Sequence, residues 1–178
     1  MVAFPKQFEP YFATVSGRHF HFLNPQPTEI DLYDIATALS NQCRFAGHMR
    51  RFYSVAEHSV RVSLACEPGI ALWGLLHDAS EAYICDIPSP VKGELASYRN
   101  MEGIIQRAIA NRFCLSWPIP KGVFIADQIL LVTEAQQLIG HDTSDWGIKY
   151  PALEEKIEPW TPEEARNRFM ARFKELTA

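Results

Sequence analysis

The sequence predicts an all-α fold: a single-domain helical bundle with a small N-terminal β-hairpin in front of it. Three observations carry that expectation. Apolar residues recur at helical spacing along most of the chain, and capping residues, prolines and glycines fall between the periodic stretches as start and stop signals. No repeat, linker or low-complexity tract divides the chain. Its 178 residues, 47% hydrophobic and 12% aromatic, suffice for one well-buried core and are short for two.

The elements follow in order, with 1–27 read as a hairpin and arm, 28–139 as the helical core, and 140–178 as a C-terminal loop and helix. In YFATVSGRHFHFL, residues 11–23, the Ser16-Gly17 turn signal lies between short aromatic and β-branched runs, as in a hairpin. Thr28 opens a T-x-x-D capping pattern before Ile30, Leu32, Ile35, Ala36 and Leu39, which share one helical face. Ser54 with Glu57 makes a second start, and Pro68-Gly69 ends that helix. A helix buried on most of its circumference begins at Ile70 and is stopped by Asp86, Pro88 and Pro90. A long helical pattern spans 93–113, another runs from 121 to 139 and ends at Gly140, and Thr161-Pro162-Glu163-Glu164 starts the last.

Charge and cysteine usage narrow the function. Seventeen Lys and Arg against 21 Asp and Glu, a net charge of -4, argue against a stable nucleic-acid partner or an anionic membrane surface. The basic ARNRFMARFK stretch fits an amphipathic helix with Phe169 and Phe173 inward. Cys43, Cys66, Cys85 and Cys114 form no C-x-x-C pair, so reduced thiols in a cytoplasmic protein are expected. MVAFPKQFEP contains no apolar signal core, and no apolar run approaches membrane-spanning length.

The stretch LLHDASEAYICDIPSP, residues 75–90, breaks the apolar pattern with His77, Asp78, Glu81 and Asp86. An unpaired buried carboxylate costs several kcal/mol or more, so such groups need a proton, a cation or a metal ion. His58 falls on the stripe Val55, His58, Val62, Ala65, and Asp127 lies between two apolar tetrapeptides. Singly, His58 suits a hydrogen-bonded core histidine and Asp127 a partner for a buried arginine. Together, two imidazoles and two carboxylates on three helices can meet at one divalent ion. The second His-Asp pair, His141-Asp142, follows Gly140 in a polar loop and reads as solvated surface.

The order H…HD…D, filled by His58, His77-Asp78 and Asp127, with HDASE followed by DIPSPVK, resembles the HD-domain superfamily of metal-dependent phosphohydrolases. Within it the chain is similar to the bacterial 5′-deoxynucleotidase branch and the compact phage dATP triphosphohydrolases. The resemblance covers roughly residues 28–139 and implies an HD-domain bundle. It also implies one or more divalent ions (Zn, Co, Mn or Mg), a nucleotide substrate, proton transfer by Glu81, a site position for Asp86, and a substrate contact by Arg44 of CRFAGH. The segment between Asp78 and Asp127 is short for a 5′-deoxynucleotidase.

Arg44, His48, Arg50, Arg51 and Lys92 are candidates to hold phosphate charge, because arginine offers phosphate oxygens paired donors. Phe20, His21 and Phe22 are candidates for base contacts. The expected activity is hydrolysis of a deoxynucleoside triphosphate such as dATP to deoxynucleoside and triphosphate, with 5′-deoxynucleotidase activity as the alternative. A nucleotide-sensing module without turnover is the further alternative. A homo-oligomer is compatible with all three, and the absence of H-E-x-x-H excludes a zinc peptidase of that type.

Overall fold

The computed structural model describes residues 9–178, so the first eight residues of the N-terminal arm lie outside it. Strands β1 (Phe12–Ala13) and β2 (His19–Phe20) pair antiparallel, with Phe12 opposite Phe20 and Ala13 opposite His19. Gly17 sits at φ +81 in the turn, a conformation that costs glycine little. The hairpin is latched to the bundle: the Asp34 carboxylate accepts from both the backbone N–H and the hydroxyl of Ser16, each at 2.8 Å. Phe20, completely buried, stacks on Tyr83 with ring centroids 3.8 Å apart.

Eight helices follow: α1 (Leu32–Asn41), α2 (Val55–Ala65), α3 (Ala71–Leu76), α4 (Glu81–Ile84), α5 (Ser89–Glu94), α6 (Ala96–Arg112), α7 (Lys121–Glu134) and α8 (Pro162–Leu176). This is the expected mainly helical chain with one small hairpin. Ser54 caps α2 by accepting from Glu57 N–H at 3.1 Å, and Thr161 caps α8 by accepting from Glu164 N–H at 3.2 Å. At three places the elements differ from expectation. Thr28 lies in a short 3-10 turn (Pro27–Glu29), and the cap of α1 is Asp31, whose carboxylate accepts from Tyr33 N–H at 2.9 Å. The pattern over 93–113 is divided at Leu95 into α5 and α6.

The third difference shapes the site. The helix expected from Ile70 onward stops at Leu76 and resumes at Glu81, which leaves His77–Ser80 as a turn. Gln106 of α6 causes the division. Its amide N–H donates to Leu76 O at 2.7 Å, and its carbonyl accepts from Ser80 N–H at 3.2 Å. Those are the two backbone groups that a continuous helix would pair with each other, so the inserted side chain splits the ladder.

The main core joins Phe20 and Ile35 to Leu76, Ile109 and Phe169, so α8 closes over α1 and α2. A second cluster, around Val62, Trp73, Val123 and Leu130, packs α7 onto α2 and α3. The approach of α2 to α3 depends on Gly74: a Cβ there would lie 2.9 Å from the Cα of Ser63 and 2.8 Å from Cys66 Sγ. Among the described residues no helix is long and apolar enough to cross a membrane.

Candidate metal centre

Close packing of α2, α3 and α7 brings His58, the His77-Asp78 turn and Asp127 to one point. Nε2 of His58 lies 3.3 Å from Nε2 of His77, 3.1 Å from Asp127 Oδ1 and 3.6 Å from Asp78 Oδ2. Nε2 of His77 lies 3.2 Å from Asp78 Oδ2 and 3.9 Å from Asp127 Oδ1. His58, His77 and Asp127 each present a donor atom within 4.8 Å of the others.

The outer face of each ring fixes its tautomer. His77 Nδ1 lies 2.8 Å from the carbonyl of Gly74, and His58 Nδ1 lies 2.7 Å from Glu134 Oε1. Both neighbours are pure acceptors, so both Nδ1 atoms donate, and in neutral rings the two Nε2 lone pairs face each other and the carboxylates. Such a group is unstable without a positive charge at its centre. Two donors each ~2.05 Å from one zinc-like ion at a tetrahedral angle are about 3.3 Å apart, so the pair already has ligand spacing. The residues present therefore fit a divalent ion.

The wider charge balance agrees. Carboxylates of Asp78, Glu81, Asp86, Asp127 and Glu134 surround the site, against the permanent cations Arg44 and Lys92. Without an ion, protons compensate. Burial opposes a charge on His77, but Asp78 and Asp127 outweigh it and raise its pKa to about 9. Burial and the Arg44 charge also oppose protonation of His58, which Glu134 and Asp127 overcome, raising it. Burial disfavours the carboxylate forms of Asp78 and Asp127, yet His77 lowers the first and His58 the second.

Beside the cluster opens a cavity of about 670 Å³. Arg44, Asp78, Glu81, Asp86, Lys92 and Asp127 line it, so all but two of the candidate metal and catalytic residues reach this wall. Of the exceptions, His58 is fully buried and His77 lines a neighbouring cavity that shares Asp127. Glu81 is 3% exposed, and its Oε1 accepts from Lys92 Nζ at 3.0 Å while Oε2 has no hydrogen-bond partner. Burial, then Asp78 and Asp86, push its pKa well up despite Lys92. Burial likewise raises Asp86. Gln42 holds both ends of this segment, donating to Glu81 O and accepting from Asp86 N–H, each at 3.0 Å.

Several candidate substrate residues are placed elsewhere. His48, Arg50 and Arg51 are not among the residues lining the cavity: His48 is exposed, the Arg50 guanidinium lies over Gly140, and Arg51 pairs with Glu158 at 3.1 Å. Phe20 is core, Phe22 packs against that core, and His21 Nδ1 pairs with Glu29 at 2.7 Å. Aromatic groups at the cavity are instead Phe45, at φ +52 beside Arg44, and Trp146 from the loop after α7. Lys92 is shared between Glu81 and Glu102, the latter at 2.7 Å. His141 and Asp142 are exposed, as expected.

Sequence reading missed Glu134, a fully buried carboxylate one face and two turns beyond Asp127 on α7. Burial would raise its pKa, but Arg44 and His58 hold it low. The i, i+7 spacing from Asp127 within an apolar run was the available signal.

Fold and site together define a helical protein with a partly buried histidine-carboxylate centre that could hold a metal ion, beside a charged cavity. No family model matches the chain. It is 40% identical over 170 residues to the uncharacterized protein YfdR of Escherichia coli K12, covering 94% of this chain and 96% of that one. An uncharacterized protein of Rhodobacter capsulatus is 32% identical over 180 residues, covering 89% and 91%. The chain belongs to the family of YfdR.

Proposed function

We propose that this protein is an HD-type, metal-dependent phosphohydrolase acting on nucleotides. The observation that carries the reading is the pair of facing Nε2 atoms, 3.3 Å apart and flanked by Asp78 and Asp127, two carboxylates that line a cavity together with Arg44 and Glu81. His58, His77, Asp78 and Asp127 would hold the ion. A divalent ion bound there supplies an acidified water and a Lewis acid for a phosphate oxygen.

The chain's own groups supply the rest. Arg44 faces the cavity and is suited to orient phosphate oxygens. Glu81, which lines the cavity and is biased toward its protonated form, is suited to give a proton to a departing ester oxygen. Lys92 keeps the other oxygen of Glu81 in place. Phe45 and Trp146 line the cavity and are suited to contact a base.

Charge favours a nucleoside 5′-monophosphate over a triphosphate. The triphosphate expectation relied on the basic residues of RFAGHMRR with Lys92 and on the short segment between Asp78 and Asp127; of those basic residues only Arg44 and a Lys92 already engaged by two carboxylates line the cavity. Incubating dAMP and dATP separately with Mn, Co, Mg or Zn, and resolving products by chromatography, tests this. Deoxyadenosine and orthophosphate from dAMP are expected. Deoxyadenosine with tripolyphosphate from dATP would restore the triphosphohydrolase reading, and no turnover of either with any metal would leave a nucleotide-sensing module.

A further inference from the structure

One carboxylate touches both halves of the site. Glu134 Oε1 accepts from His58 Nδ1 at 2.7 Å and from the Tyr53 hydroxyl at 2.8 Å, and Oε2 accepts from Arg44 Nε at 3.0 Å. All four residues are buried, with Glu134, His58 and Tyr53 fully so. The other end of Arg44, Nη1, lies 3.6 Å from Asp78 Oδ2.

We propose that Glu134 is a positioning residue that couples metal loading at His58 to anion binding at Arg44. The inference rests on the reading that the cluster holds a metal and the cavity an anion. Its chemistry is specific to a carboxylate. Glu134 meets N–H or O–H donors at both oxygens, which a side-chain amide cannot do, because its NH2 would abut a donor on one side or the other. A metal on Nε2 makes the imidazole a stronger Nδ1 donor and tightens the bond to Oε1. The same ion engages Asp78, so Nη1 of Arg44 loses its competing partner and is available to an anion in the cavity. Oε2 keeps the guanidinium anchored through Nε while this happens. Metal loading would thus free Nη1 of Arg44 from Asp78 for an anion while Nε stays on Glu134, with the metal binding first.

The test measures two affinities and needs no turnover. Metal affinity comes from chelator competition, and binding of inorganic phosphate to metal-free and to metal-saturated protein from calorimetry, in the wild type, where metal should strengthen it, and in Glu134→Gln. The variant should lose metal affinity by about 10- to 100-fold, as for other outer-shell partners of a metal-bound histidine. Phosphate binding at saturating metal should weaken by about 5-fold or more. Tyr53→Phe, which keeps the carboxylate, should change both far less. Loss of only one affinity in a Glu134→Gln protein of unchanged Tm would overturn the coupling. If that variant does not fold, Glu134→Asp, too short to reach both partners, takes its place with the same two outcomes. Wild-type protein that binds neither metal nor phosphate would overturn the proposed function itself, and wild-type binding of both with single losses in the variants would overturn this inference alone.

Discussion

His58 and His77 spend their Nδ1 protons on Glu134 and on the Gly74 carbonyl, so each has one atom left for an ion. Replacing His58, His77 or Asp127 by alanine should abolish tight metal binding and activity together, while His141→Ala, on the exposed loop, should change neither; metal analysis after gel filtration checks this. Glu81→Gln should keep the metal and slow turnover by about 100-fold or more, as for loss of a general acid or base, read as kcat at saturating metal. Protons give an independent test. With its pKa raised from 6.5 to about 9, His77 carries a proton at pH 7 in the metal-free protein, where it adds stability that is lost as pH rises through about 9. An ion must displace that proton. Metal binding at pH 7 should therefore release protons and strengthen with rising pH, which appears as a calorimetric enthalpy that depends on the buffer; no buffer dependence would contradict the protonated cluster. The metal-ligand candidates were legible because each was an ionisable residue in an apolar stripe. The cavity lining was legible only in part, with Arg44 and Lys92 on it and His48, Arg50 and Arg51 elsewhere, since a charge in a sequence pattern carries no mark of the cavity it faces.

At the scale of elements, two small features bring the ligands together. Gly74 lets α3 lie against α2, and Gln106 breaks the helix so that His77 and Asp78 occupy a turn. Gly74→Ala sets a methyl 2.9 Å from the Cα of Ser63 and should cost about 1–3 kcal/mol in denaturant unfolding, as overpacking does, with weaker metal binding in the surviving fold. Gln106→Met removes both hydrogen bonds at similar volume. It should let Leu76 O and Ser80 N–H move toward each other and lower metal affinity more than its effect on Tm would suggest, as chelator competition can show. Helix starts at Ser54 and Thr161 were readable because a cap acts through its nearest neighbours. The break at 77–80 was not, because its cause is a side chain 26 residues away, and nothing local in HDAS opposes a helix. Thr28 gave a false start for a related reason: Asp31 competes for the same role and wins the α1 cap.

For the whole molecule, an all-helical bundle with a leading hairpin was legible in its periodicity and turn residues, and α8 packs on α1 and α2 through Phe169 as its amphipathic pattern suggested. What periodicity could not convey is that one cavity would gather Arg44, the 78–92 segment, α7 and the loop bearing Trp146, since these meet only through tertiary packing. Several of its carboxylates crowd around few cations, so an ion that binds the folded state alone should stabilise it, by about 2.7 kcal/mol when its concentration is 100 times Kd. Metal content per chain tests the central claim most directly. Protein loaded with Mn, Co or Zn and freed of excess by gel filtration should retain at least one ion, and Asp127→Ala treated identically should retain none. Wild-type protein that retains no ion from any of the three, or an Asp127→Ala protein that retains as much as the wild type, would contradict a metal centre built from His58, His77, Asp78 and Asp127.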